Sequence, residues 1–234
     1  MNERTKQFFL QNKSLLEKQG LDELYDAAIR SKTVRTSDIT EALIEAGIDP
    51  MLQVSKIYDM MYFNIYSIPT DVTIPSNIDF IGNQAFTNTM LQKIDCNNVN
   101  YIDVQAFYRC LDLQEIKIPN VEKIEASAFY NTGLLEVTFR NGRCTVEEGA
   151  FGECDKLKTI NITKYTNISS RAFEDCNNVE TINFNGTKHE FYEAHIGPAF
   201  RRDWYSKLIK SGARIVCTDG EFNNDWGVKK FFTS

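Results

Sequence analysis

The chain has 234 residues, of which 42% are hydrophobic and 25% are charged, and its formal net charge at pH 7 is −6. These values are typical of globular proteins and exclude disordered and collagen-like chains. The negative charge argues against a protein that gains its affinity mainly by neutralising nucleic-acid phosphates or an anionic membrane surface.

Residues 1–66 are predicted to form a helical N-terminal domain. Asp38 and Glu41 are three residues apart, the spacing of a capping box at the start of a helix. Asp49 and Pro50 have the form of the N-cap and first-turn proline of a further helix. The apolar positions of that further helix are Leu52, Val54, Ile57, Met60 and Met61. We expect this domain to cover the start of the repeats that follow.

Residues 37–61 also fit the two helices of a helix-turn-helix. The candidate second helix has one basic residue, Lys56, and is otherwise rich in apolar side chains. A recognition helix presents several basic or amide side chains to phosphates and base edges. We therefore disfavour a nucleic-acid partner.

An internal repeat of about 22 residues occupies the middle of the chain. An Ala-Phe pair recurs at spacings of 21, 22, 22 and 22 residues. The pairs are Ala85-Phe86, Ala106-Phe107, Ala128-Phe129, Ala150-Phe151 and Ala172-Phe173. An aliphatic residue precedes each pair by four positions, and a small residue follows at a fixed offset: Thr89, Cys110, Thr132, Cys154 and Cys176. One such unit cannot bury its own apolar side chains, so the units must stack.

Each unit also contains a short segment of alternating apolar residues, which predicts a strand with one buried face. These strands begin at Val72, Ile94, Ile116, Val137, Ile160 and Ile182. We expect the six strands to form one parallel sheet, about 4.8 Å apart, with turns or short helical segments around Ala-Phe on the opposite side.

This pattern resembles the BspA-like leucine-rich repeats, whose units read roughly Ile-x-x-x-Ala-Phe-x-x-Cys-x-x-Leu-x-x-Ile-x-Ile-Pro. The resemblance covers about residues 68–220 and implies an α/β fold: a leucine-rich-repeat solenoid with a short parallel β-sheet, over residues 67–187. It also implies a closing segment in which Trp204 fills the place of that family's Trp-containing segment and Cys217 that of its closing Val-x-Cys-x-Asp-Gly strand.

Residues 188–234 are predicted to form a C-terminal cap with a helical insert and an aromatic tail. The segment "RRDWYSKLIKS" has the character of a helix. The tail carries Trp226, Phe231 and Phe232 and either packs back over the last coil or docks into another chain.

The six cysteines are interpreted as reduced, buried residues, because Cys110, Cys154 and Cys176 share one repeat position. The first twenty residues lack the uninterrupted apolar stretch of a signal peptide. No segment has the roughly 18 consecutive apolar residues of a membrane span. BspA-like repeats are widespread in surface-attached proteins, but with no signal or anchor in view we expect a cytoplasmic protein, in the host cytoplasm if a virus encodes it.

Catalytic and cofactor motifs are not found in the sequence. The only two histidines are His189 and His195, near Glu190 and Glu193, and no third ligand or nucleophile has a matching spacing. We interpret both histidines as surface residues of the C-terminal cap. The protein is therefore expected to be no enzyme and to need no cofactor.

The candidate partner-binding residues lie on the exposed face of the predicted sheet and in the tail. They are Lys93, Asp95, Glu115, Lys117, Glu136, Thr138, Arg140, Trp226, Phe231 and Phe232. The sheet face is either a solvated surface with cross-strand charge pairs such as Lys93 with Glu115, or a shallow polar groove for a protein segment. Since the face has no aromatic anchor, we expect the tight contacts on the helical domain, the insert or the tail.

The sequence thus favours a non-enzymatic scaffold that binds a protein partner or its own copies through solenoid and terminal surfaces. A structural subunit of a larger assembly, possibly viral, is the alternative. A helix-turn-helix regulator ranks last.

Overall fold

The computed structural model describes residues 37, 40, 41, 44, 57, 61–66, 68–140, 142–196 and 204–222. The chain winds into a parallel β-solenoid in which successive coils each add one strand to each of two walls. The front wall consists of β1 (Asp71–Thr73), β3 (Lys93–Asp95), β5 (Glu115–Lys117), β7 (Glu136–Thr138), β9 (Thr159–Thr163) and β11 (Thr181–Asn185). The back wall consists of β2 (Phe80–Ile81), β4 (Tyr101–Ile102), β6 (Lys123–Ile124), β8 (Cys144–Val146) and β10 (Thr166–Ile168).

The six predicted strands are confirmed as the front wall, but they do not form one sheet. β1, β3 and β5 pair in parallel as a first sheet, and β7, β9 and β11 pair in parallel within a second. The back wall, a five-stranded parallel sheet, was not predicted. Its two- and three-residue strands are too short to show an alternating pattern in the sequence.

A column of stacked aromatic rings runs through the core between the two walls. The five Ala-Phe phenylalanines are buried, and Tyr62 extends their series at the N-terminal end. Neighbouring ring centroids lie 4.9 to 5.2 Å apart, with interplanar angles of 1° to 10°. This ring column is Tyr62, Phe86, Phe107, Phe129, Phe151 and Phe173. Stacking therefore joins every coil to the next, as the repeat predicted.

The Ala-Phe segments form turns rather than helices because their amide groups point along the stack. Phe107 N–H donates to the Ala128 carbonyl oxygen of the next coil at 2.7 Å, and Phe129 N–H donates to that of Ala150, also at 2.7 Å. Non-glycine residues on either side adopt positive φ, for example Gln105 at 55°. The hydrogen bonds to the next coil offset the cost of that left-handed backbone.

A second column, made of the small repeat residues, lies beside the rings. The thiol of Cys110 donates to the Phe86 carbonyl oxygen at 3.0 Å, and that of Cys176 donates to the Phe151 carbonyl oxygen at 2.9 Å. All six cysteines are buried with free thiols. Burial raises the pKa of Cys110 to about 11. The packing role predicted for the repeat cysteines is confirmed by these contacts.

One further coil precedes the first recognised repeat. Ile57 forms a parallel β-bridge with Ile81, and Tyr62 N–H donates to the Ala85 carbonyl oxygen at 2.6 Å. The prediction of a helix over Ile57 and Met61 is therefore wrong at these two residues, since Met61 lies in a turn. The described residues farther towards the N-terminus, 37, 40, 41 and 44, are helical. The predicted caps at Asp38, Asp49 and Pro50 lie outside the described residues.

The C-terminal segment packs on the last coil. It comprises α1 (Lys188–Phe191), a π-helical turn (Tyr192–Ile196), α2 (Ser206–Lys210), β12 (Arg214–Cys217) and β13 (Gly220–Phe222). β12 pairs in parallel with β11, and β13 returns antiparallel to β12. Trp204 lies against Phe173, with ring centroids 5.7 Å apart. Among the described helices, none is long and apolar enough to cross a membrane.

Candidate functional site

The predicted charged residues of the early coils form cross-strand pairs on the front wall. The register places Lys93 opposite Glu115 and Asp95 opposite Lys117. The corresponding ion pairs measure 3.5 Å and 3.6 Å. Three of these four side chains are more than half exposed, so the pairs contribute little to stability. They nevertheless neutralise one another at the surface.

The later coils carry a hydrogen-bonded ladder of amide and hydroxyl groups. Asn183 Nδ2 donates to Asn161 Oδ1 at 2.7 Å, and Asn161 Nδ2 donates to Thr138 Oγ1 at 2.8 Å. Glu136 accepts from both Asn161 Nδ2, at 2.6 Å, and Thr138 Oγ1, at 2.9 Å. The Glu136 carboxylate is therefore held within the wall by neutral donors.

A cleft opens where the two sheets of the front wall separate. A hydrogen bond from Leu135 N–H to the Gln114 carbonyl oxygen, 3.3 Å, joins the approaches to β5 and β7, but the two strands themselves do not pair. The cleft has a volume of about 570 Å³. It is lined by Lys93, Asn97, Gln114, Glu115, Ile116, Lys117, Ile118, Pro119, Leu135, Glu136, Thr138 and Arg140. Six of the seven predicted front-wall residues thus meet here, and the seventh, Asp95, binds Lys117 beside them.

Two arginines lie in the connection between β7 and β8. Arg140 lines the cleft and also a smaller cavity of about 370 Å³ over the later strands. Arg143 follows it in the connection to β8, where Gly142 takes a φ of +82°. Both arginines are exposed, and neither has an ion pair or hydrogen bond with any residue that the structure describes.

The front edge of the solenoid also exposes three aliphatic side chains from successive coils. Met90, Leu111 and Leu135 are 47%, 48% and 47% exposed. Leu135 lines the cleft directly. The prediction from sequence concerned only aromatic anchors on this face and so passed over these aliphatic residues, which lie in the connections before the strands. Met90 and Leu111 each lie four residues after a ring-column phenylalanine, whereas Leu135 lies six residues after Phe129.

The remaining predicted site residues lie elsewhere. Trp226, Phe231 and Phe232 are outside the described residues. His189 is exposed, but the expectation that His195 is a surface residue is wrong: its side chain is 5% exposed and packs against Phe184, Phe191 and Trp204. Burial lowers the pKa of His195 to about 4.

The chemistry of the cleft suits recognition. Its lining contains charged, amide and aliphatic side chains but neither a histidine nor a cysteine. Over the part of the chain that the structure describes, no group of three or more His, Cys, Asp or Glu is placed to hold a metal ion.

A family model described as "BspA type Leucine rich repeat region (6 copies)" matches residues 49–142 and 100–195. The chain belongs to this BspA-type family. The match to the family model begins ahead of the first Ala-Phe pair, as does the extra coil at Ile57. No curated protein matches the sequence of this BspA-type chain.

Three solved structures are similar to this chain, and the first of them supports the fold. A leucine rich cell surface protein from Faecalibacterium prausnitzii A2-165 is 22% identical, with a TM-score of 0.50 over 56% of this chain and 37% of that one. The pneumococcal vaccine antigen PcpA is 19% identical, with a TM-score of 0.41 over 64% and 41%. A leucine-rich repeat protein from Bacteroides ovatus ATCC 8483 is 16% identical, with a TM-score of 0.27 over 56% and 47%. The BspA-type chain therefore spans less than half the length of each.

The predicted cytoplasmic location is contradicted by these comparisons, because the first of these structures is described as a cell surface protein. The lack of a recognisable signal in the first twenty residues was the wrong basis for assigning a compartment.

Proposed function

We propose that this BspA-type chain is a non-enzymatic binding protein that holds a segment of a protein partner in the cleft between β5 and β7. The observation that carries the proposal is the cleft itself. It is the larger of the two described cavities of the front wall, at about 570 Å³ against about 370 Å³. It also joins exposed charge to an exposed aliphatic side chain, Leu135.

The solenoid is suited to this role because the packing of its core, and not its outer surface, holds the coils together. The ring column and the inward aliphatic residues fix the coils, so the outward residues of the front wall are free to contact another molecule. A half-exposed leucine at the edge of a polar surface is the kind of residue that becomes an interface anchor when a partner covers it.

The two ends of the solenoid are proposed to be covered by terminal elements. Trp204 and the aromatic residues around it shield Phe173, the last ring of the column, which supports a capping role for residues 188–234. The helical residues Ser37, Thr40, Glu41 and Ile44 support a helical cover at the N-terminal end.

We propose that the protein works at a cell surface or outside the cell. The description of the Faecalibacterium structure as a cell surface protein supports this location. Fractionation of the native cells with an antibody against the chain would test it, and the chain recovered only inside the cells would refute it.

Site-specific photo-crosslinking tests the binding function. A photoreactive amino acid placed at Leu135 should give a discrete protein adduct in the native cells. The same amino acid at Tyr165, which is 54% exposed and does not line the cleft, is the matched control. An adduct at both positions, or at Tyr165 alone, would contradict the proposal. Light scattering measures the molar mass of the purified chain in solution. The alternative of a structural subunit requires a stable homo-oligomer, whereas the binding function does not.

A further inference from the structure

Two ion pairs bring together four of the charged side chains in and beside the cleft, and Arg140 at one end takes part in neither. Lys93 pairs with Glu115, and Lys117 pairs with Asp95. Glu136 accepts hydrogen bonds from the Asn161 amide of the neighbouring coil and from the Thr138 hydroxyl of its own strand. The guanidinium of Arg140, in contrast, has no carboxylate among the described residues, although the chain as a whole carries a net charge of −6. A ligand carboxylate is therefore the group that would pair with the Arg140 guanidinium.

The opposite end of the same strand is apolar. Leu135 precedes β7 and Arg140 follows it, so the two residues are five positions apart in the chain. At about 3.3 Å per residue, this is a distance of roughly 16 Å along the strand direction. A partner that contacts both must place an apolar side chain and an acidic side chain that far apart. An extended peptide does so with about five residues.

We propose, on the basis of the binding function above, that the cleft takes an extended acidic peptide segment of a partner protein. In that segment an Asp or Glu pairs with Arg140, and an apolar side chain about five residues away covers Leu135.

A polyanion such as nucleic acid or a sulfated glycan fits the cleft less well. Glu115 and Glu136 line it beside the cations and would repel a continuous row of negative charges. Leu135 would also gain little from a ligand that presents mainly a row of charged groups. A single carboxylate next to an apolar side chain meets both constraints.

The experiment uses the immobilised full chain and a display library of random 16-residue peptides. Enriched peptides should carry Asp or Glu about five residues from an apolar residue. The binding of a fluorescent copy of the best peptide is then measured by anisotropy. Changing its acidic residue to the amide should weaken binding about tenfold, the scale of a charge-assisted hydrogen bond.

Substitutions in the protein identify the site. R140Q should weaken the acidic peptide about tenfold but leave its amide version unchanged, and R140K should restore part of the loss. L135S should weaken both peptides equally. R171Q is the matched control, because Arg171 is an exposed arginine paired with Glu148 and does not line the cleft. Circular dichroism verifies that each exposed substitution leaves the fold intact.

The outcomes separate the two proposals. If L135S weakens binding while R140Q does not, or if the enriched peptides show no acidic preference, the inference about the partner fails and the binding function stands. If no peptide is enriched, or none is sensitive to either substitution, both fail. Displacement of the peptide by heparin with an affinity above that of the peptide would assign the cleft to polyanions and overturn the inference.

Discussion

Replacing Phe129 by alanine tests the ring column at its centre. The side chain is fully buried, and its ring stacks on Phe107 at 4.9 Å and on Phe151 at 5.0 Å. A buried Phe→Ala change costs about 3 to 5 kcal/mol, because it removes apolar contact and leaves a cavity that the surroundings fill only in part. The two stacked neighbours are themselves held by their own coils, so we expect little collapse and a loss of about 4 kcal/mol.

Urea unfolding followed by circular dichroism measures this loss. For a chain of this size, about 4 kcal/mol corresponds to a fall in melting temperature of roughly 8 to 16 °C. Phe129→Leu, which keeps most of the volume, should lose less than about 2 kcal/mol.

Phe80→Ala is the matched control. Phe80 also stacks on an aromatic ring, that of Tyr101 at 5.2 Å, but it lies on the outer face of the back wall and is only half-buried. We expect it to lose about 1 kcal/mol. If Phe129→Ala cost no more than this control, the column would not be the element that joins the coils.

Three further predictions address individual features. Because burial lowers the pKa of His195 to about 4, the unfolded chain binds a proton between about pH 6.5 and pH 4 that the folded chain does not. The unfolding free energy should therefore fall by about 3 kcal/mol more between pH 7 and pH 4 in the native chain than in His195→Phe. Equal pH dependence of the two chains would contradict the burial of His195. Gly133→Ala should lower the unfolding free energy by more than about 2 kcal/mol, because the added Cβ would overlap the backbone carbonyl of Leu111. The control is Gly142→Ala, whose Cβ meets no neighbouring atom and which should cost only about 1 kcal/mol for its positive φ. Thermal melts measure both changes. The six buried thiols should resist a thiol reagent until the chain unfolds, and reductant should leave the melting temperature unchanged. Rapid labelling of the folded chain, or a large drop in melting temperature with reductant, would show that the cysteines are not reduced and buried.

The core was predictable because each coil repeats the same buried positions. The spacing of Ala-Phe and of the aliphatic residues fixed which side chains face inward, and those side chains are buried. The coil at Ile57 escaped this reasoning, because Met61 and Tyr62 stand where later coils have Ala and Phe. Apolar residues at positions 52, 54, 57, 60 and 61 are also compatible with a helix, and at Ile57 only the pairing with Ile81 decides between the two structures.

The candidate site was predictable in part. Alternation along the strands identified the outward residues of the front wall, six of which line the cleft. The separation of β5 from β7 was not predictable, because it depends on how two neighbouring coils of different length align in space. Leu135 was overlooked for a related reason: it lies in a connection where the repeats differ in length. The burial of His195 depends on aromatic residues distant in sequence, among them Trp204.

The division between inward and outward side chains has an evolutionary consequence. A substitution at an outward position of one strand leaves the packing between that coil and its neighbours unchanged, since the side chains that form this packing point inward. Selection can therefore change the binding specificity of the front wall one coil at a time, while the protein continues to fold by the same stacking. New specificity in such a molecule requires no new architecture.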